Sequence, residues 1–369
     1  MEDKIASRQI DGKTAMFVLF ILHVGSLGAF GAGLGLRPGG WLSWLLAFIF
    51  FLPISQLWVY LGKKSSGMNL FSALEQGFGR KLSQILGFLY VGFFLLLAAR
   101  LLFFHGAMLQ MLVLPYTPFA LNLLLLFGLS AYLAKSGLQA VGKWCVLLAG
   151  IFLFATVLFF ILATPIMEVY RVLPLVLSGG QGVLEGAVHF FLQTLGNAVI
   201  MLALLGNGTE NASQRKLFFV ATAFAVLFFS LSFLREVSIL GQAGAQSALY
   251  PSYKAAGLIR IGSTGARVEV FVLLLDMVMG LTKVALCVMA GARGMAHIFG
   301  GAKENALILS LSFFALGLSV LLFSSIRSLL DFTGIYLCLA PVFQVILPAI
   351  LCVALAIRGK RGREGKRKI

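Results

Sequence analysis

Residues 25–35 read GSLGAFGAGLG, which places glycines at 25, 28, 31, 33 and 35 inside the first long apolar run, residues 14–36. Each interior glycine costs a helix about 1 kcal/mol relative to alanine. At membrane depth, non-helical backbone survives only where protein or a cavity surrounds it. The run therefore reads as a discontinuous first span. In secondary transporters such a break turns helix-end N–H and C=O groups toward a small charged or zwitterionic ligand, and it has a counterpart half a chain later. A second reading stands beside it. Gly25, Ser26 and Ala29 also fit a small-xxx-small face on which helices approach closely.

Composition sets the class. The chain has 369 residues, of which 60% are hydrophobic and 11% charged, with a mean hydropathy of +0.99. Runs of about 20 apolar residues recur throughout, the mark of an all-α polytopic membrane protein rather than a soluble one. A net charge of +16 raises nucleic acid as a partner, but no basic stripe interleaved with aromatics accompanies it. Most Lys and Arg fall instead in alternate loops and at the ends, as the positive-inside rule produces. The tail RGKRGREGKRK, residues 358–368, carries seven of them, and its expected place is the cytoplasmic face against anionic lipid. Cys145, Cys287, Cys338 and Cys352 lie in apolar runs without a CxxC pair, so they read as packing residues, not as a metal or disulfide set. The N-terminus MEDKIASRQIDGK lacks a small-residue cleavage site, so the first span is expected to be retained.

Ten spans account for the chain: 14–36, 41–61, 85–114, 119–133, 144–163, 183–205, 217–240, 268–298, 306–323 and 333–357. The loop after the second carries Lys63, Lys64, Arg80 and Lys81, and its middle suits a short amphipathic helix at the interface. The sixth span, VLEGAVHFFLQTLGNAVIMLALL, is interrupted at Gln193, Thr194, Gly196 and Asn197. That is the expected counterpart. Interruptions in spans one and six describe a five-plus-five inverted repeat of the LeuT/APC type, with repeats at about 14–163 and 183–357 of one integral membrane domain and a basic tail at 358–369. Both termini then lie in the cytoplasm. The run SSIRSLLDF reads as an outer turn, and Pro341 and Pro348 should kink the tenth span.

If the two interruptions face each other, amides near Gly28 and Gly31 can hold a carboxylate, because a helix N-terminus is partly positive. Carbonyls near Gly25 and Gly196 can take an ammonium. Ser26, Thr194 and Asn197 supply polar contacts, and Phe30 can cover the ligand. The same Ser, Thr and Asn also serve as ordinary helix-to-helix hydrogen-bonding groups. In the eighth span Glu269, Asp276 and Lys283 recur every seven residues and so share a face. Asp276 and Lys283 are ~10 Å apart at 1.5 Å per residue, suited to a shared hydrated cavity and to a coupling or gating role. Equally, each can be a structural charge compensated from another span. Arg100 with His105, and Glu185 with His189, form a further intramembrane set, the latter an i, i+4 pair. No GxSxG, HExxH or P-loop motif appears, and no cofactor or metal is implied.

The ASRQI before the first span, the glycine-rich run, YPSYKAAGLIRIG at 250–262 and RVEVFVLLLDMVMGLTKVALCVMAGARGMAHIFG at 267–300 together resemble the B subunit of GerA-type spore germinant receptors. That family lies within the amino acid, polyamine and organocation transporter superfamily. The resemblance implies a spore inner-membrane protein that binds a small nutrient, commonly an amino acid, and acts with A-type and C-type subunits. The acidic LLLDMVMG departs from the family, which frequently carries an aromatic there. A proton-coupled amino acid permease, and below it a nutrient-gated ion channel, are the alternatives on the same scaffold.

Overall fold

The computed structural model describes residues 10–25, 40–64, 69–172, 180–205, 211–260, 267–300 and 302–367. Within them the protein is helical throughout. Asp11 caps α1 (Gly12–Val24) by accepting from the Thr14 amide at 3.3 Å, and the helix ends at Gly25, whose N–H reaches the Ile21 carbonyl at 2.8 Å. A residue with a side chain would not fit there, since a Cβ on Gly25 would stand 2.6 Å from the Met279 carbonyl oxygen. Ser26, Gly28, Phe30 and Gly31 lie outside the described residues.

Next come α2 (Gly40–Lys64) and α3 (Leu70–Phe78). The latter is the amphipathic loop helix: Asn69 caps it, and Leu70, Phe71, Ala73 and Leu74 are buried on one side. Gly79, at φ +82, turns the chain into α4 (Arg80–Leu112). Two further helices, α5 (Phe119–Lys135) and α6 (Leu138–Ala163), meet at Gly137 with φ +87.

The sixth run is broken where the glycine and amide residues interrupt it. Helix α7 (Gly180–Gln193) stops, Thr194 takes φ −123 and ψ −70, a 3-10 turn covers Leu195–Ala198, and α8 (Val199–Leu204) resumes. Helix α9 (Asn211–Ser247) is longer than its expected span and bends at Gly241, with φ 69 and ψ 167. The short α10 (Pro251–Ala256), α11 (Val268–Ile298) and α12 (Glu304–Leu322) follow.

The last run starts earlier than expected. SSIRSLLDF is not a turn: Ser325 and Ser328 form a capping box that starts α13 (Ile326–Pro341), satisfying amides that would otherwise be orphaned at a helix start. A π-helical segment, Val342–Ile346, separates it from α14 (Leu347–Arg367) between the two prolines.

Eight described segments are long and apolar enough to cross a membrane, while Gly12–Val24 and Phe119–Lys135 are shorter apolar helices at the first and fourth expected positions. The protein is an all-α polytopic membrane protein. At its centre α11 packs along α4 and also touches α1, α5, α8 and α12. Large apolar side chains such as Phe154, Val157 and Ile161 of α6 stay exposed on the outside, as a lipid-facing surface requires.

Candidate functional site

The interruption at Thr194 is held by side chains from the last span. Asn197 Nδ2 donates to the Gln193 carbonyl at 2.6 Å, and its Oδ1 accepts from the Tyr336 hydroxyl at 2.8 Å and from Gln344 Nε2 at 3.1 Å. Gln344 Nε2 also reaches the Leu192 carbonyl at 2.9 Å. Gly196 is required for this closure, because a Cβ there would overlap the Gln344 amide. The π segment is what brings Gln344 inward, and the backbone it loosens is satisfied elsewhere. Tyr90 Oη donates to the Phe343 carbonyl at 3.0 Å and Trp58 Nε1 to the Gln344 carbonyl at 3.1 Å.

Helix α1 packs on this 3-10 turn, so the end of the first run and the break of the sixth meet. His23, two residues before Gly25, contacts Thr222 Oγ1 through Nε2 at 3.0 Å. Not every polar atom at this junction is satisfied. Among the described residues, Thr194 Oγ1, Gln193 Oε1, Gln344 Oε1 and His23 Nδ1 are buried without a hydrogen-bond partner. Buried polar groups are normally paired, and such a cluster in one place is a demand for a ligand or for water.

Asp276 and Lys283 share α11 but not an environment. Lys283 is wholly buried, and Arg100 of α4 and His23 of α1 are within electrostatic reach of it. The Arg100 guanidinium lies over the Tyr336 ring, 4.0 Å from its centre, and its Nη2 donates to Thr333 Oγ1 at 3.4 Å. Asp276 instead faces His105: Nε2 to Oδ2 is 3.7 Å, with His105 Nδ1 directed at the Leu101 carbonyl at 2.8 Å. Asp276 thus meets His105, and Lys283 lies toward Arg100 and His23.

Asp276 lines a cavity of about 860 Å³, part of it open to solvent, between α6, α9, α10 and α11. Trp44, Arg235, Glu236, Tyr250 and Ser252 line it as well. Arg235 Nη2 stands 3.6 Å from Glu236 Oε1, both side chains buried, and Ser252 Oγ donates to the same carboxylate. Met279, whose carbonyl abuts Gly25, is part of the wall, so this cavity and the junction adjoin.

Sequence reasoning missed Gln344 and Tyr336. Their only local signal is a polar Gln between Pro341 and Pro348 in an apolar run, which marks a distorted helix but not its partner. Glu185 and His189 sit on α7. Among the described residues no three His, Cys, Asp or Glu side chains gather as a metal site would require.

A family model described as "Spore germination protein" matches residues 9–357. Spore germination protein KB of Bacillus subtilis (strain 168) is 24% identical over 303 residues, covering 79% of this chain and 80% of that protein. Spore germination protein A2 of the same organism is 22% identical over 295 residues, covering 78% and 77%. Among solved structures, Mhp1, a nucleobase-cation-symport-1 family transporter in a closed conformation, aligns with a TM-score of 0.63 at 14% identity over 92% of this chain and 78% of that one. A manganese transporter of Eremococcus coleocola aligns with a TM-score of 0.57 at 16% identity over 89% and 78%. The fold is that of transporters, and the chain belongs to the spore germination protein family.

Proposed function

We propose that this chain is the transporter-like membrane subunit of a spore germinant receptor, binding a small nutrient of the amino acid class where the first and sixth spans are interrupted. The observation that carries this reading is the set of unsatisfied buried atoms at that junction, Thr194 Oγ1, Gln193 Oε1 and Gln344 Oε1, set in a broken helix of a germination-family protein. The architecture of the reading is ten spans in a five-plus-five inverted repeat, 14–163 against 183–357, with both termini in the cytoplasm and the basic tail on anionic lipid of the spore inner membrane. A-type and C-type subunits are its partners. Ligand binding biases a two-state helix arrangement toward the signalling state, and the Gln344 closure of the break is the element whose two positions differ.

The test is binding and uptake of labelled amino acids by proteoliposomes containing the chain, with and without an inward proton gradient, and with A-type and C-type subunits added. Saturable binding without accumulation is the expected result. Accumulation above equilibrium that needs the proton gradient would instead establish a permease. The buried Lys283 and the His105–Asp276 contact are the observations that favour that second reading.

A further inference from the structure

We propose that the cavity between α6, α9, α10 and α11 is a second small-molecule site, separate from the span-one and span-six junction, and that it takes a small zwitterion with an apolar body. Four of its lining residues carry hydrogen-bond donors that have no partner among the described residues: Trp44 Nε1, Ser232 Oγ, Arg235 Nε and Tyr250 Oη. Trp44, Ser232 and Arg235 are each at least nine-tenths buried. Unmet buried donors are costly, and their common need is an acceptor with several lone pairs. A carboxylate supplies that need, and the guanidinium makes the bond charge-assisted.

Among the described residues the Arg235 charge is only partly answered. Its nearest acid, Glu236, is 3.6 Å away and accepts from Ser252 as well. The Nε–H is left for another oxygen. Asp276, the other acid on the wall, contributes an anionic group suited to an ammonium. The remaining wall is aromatic and aliphatic, with Phe152, Phe159, Phe228 and Val272, which fits an apolar body. A site that hydrogen-bonds both charged ends rejects analogues lacking either one, because its own groups are then left unpaired.

The probe is L-leucine, titrated into the full chain in lipid nanodiscs and read by tryptophan emission, since Trp44 lies in the wall. Leucinamide lacks the carboxylate and 4-methylpentanoate lacks the amine. Each is expected to bind about tenfold more weakly or worse, the ratio that follows from losing one charge-assisted bond. Arg235→Gln should bring L-leucine down to the level of leucinamide, Arg235→Lys should recover part of the difference, and Trp44→Phe should remove the emission change. Should Arg235→Gln fail to fold, the analogue comparison on the unaltered chain still decides. Equal binding of the three probes, or an emission change in Trp44→Phe undiminished from that of the unaltered chain, overturns the proposal. The difference in emission between the unaltered chain and Trp44→Phe reports on this cavity, whereas Trp58 beside Gln344 reports on the junction, so the two readings fail separately.

Discussion

The His105 imidazole occupies the space that a Cβ on Gly280 would fill. That approach of α4 to α11 is what sets His105 Nε2 3.7 Å from Asp276 Oδ2. Gly280→Ala therefore forces the ring to move. Overpacking of this kind costs about 1–3 kcal/mol, and thermal unfolding in detergent should register it. The double variant Gly280→Ala with His105→Ala should be less destabilised than the sum of the two single changes, because removing the ring makes room for the methyl. Additive costs would mean that the two residues do not share the space.

Asn197 is the hub of the break, accepting from both Tyr336 and Gln344. Asn197→Ala should destabilise by about 1–2 kcal/mol, given that buried polar groups left unpaired cost about that much. A cycle with Tyr336→Phe should return a coupling of about 0.6–1.7 kcal/mol, the range found for hydrogen bonds between membrane helices. Zero coupling would remove the network from the account of how the sixth span is held.

Arg293 of α11 caps α8. Its Nη1 donates to the carbonyls of Ala203, at 3.3 Å, and Leu204, while Nε stands 3.4 Å from Glu304 Oε1. A cation at a helix C-terminus is favourable, and α8 has only six residues with which to hold itself. Arg293→Met should speed amide hydrogen exchange across 199–205 by about tenfold, equivalent to roughly 1.4 kcal/mol. Unchanged exchange would show that packing alone fixes this half-helix.

Outside the spans, Glu168 ties the 3-10 turn Val169–Val172 to α9. Its amide donates to the Ser238 carbonyl at 3.0 Å, Arg171 Nε stands 2.8 Å from Glu168 Oε2, and Arg171 Nη1 reaches the Ile239 carbonyl at 2.7 Å. The Tyr170 hydroxyl first, and the Arg171 guanidinium after it, hold the Glu168 carboxyl below its ordinary 4.5. A depressed carboxylate contributes stability that is present above the unfolded value and is lost as pH falls through the folded value. Exchange at 168–172 should accordingly be flat above pH 5, after correction for intrinsic rates, and loosen below pH 4.5. Glu168→Gln should abolish that step, and a step that survives would assign it to another group.

What could be read in advance was what depends on local pattern. The break at Thr194 to Ala198 announces itself as Gly196 and Asn197 inside an apolar run, and α3 as a loop helix with one apolar side. The kink of the last span follows from two prolines, although nothing local foretells a π segment rather than a simple bend. Gln344 and Tyr336 were illegible because what they do lies in residues 139 to 147 positions away. The same holds for the donors around the cavity between α6, α9, α10 and α11. Glu236 accepts from Ser252, sixteen residues on and in another element, which its own stretch of sequence does not announce. Lys283 and Asp276 share a helix face by their spacing, but the groups each meets, Arg100 for one and His105 for the other, come from another helix and leave no local trace. SSIRSLLDF misled because its serines suit a turn and a capping box equally.

The π segment Val342–Ile346 ties two distant places to one variable. Straightened into regular α-helix, it would turn the chain beyond it by about 100°, the rotation of a single residue. That turn would withdraw Gln344 from Asn197 and Leu192, and it would swing Arg358, near the basic end, off the Gln76 carbonyl it holds at 2.9 Å. The last span is in this sense a crank. Were the segment to straighten, the closure of the break and the posture of α3 against the C-terminal helix would change together, with no third element in between.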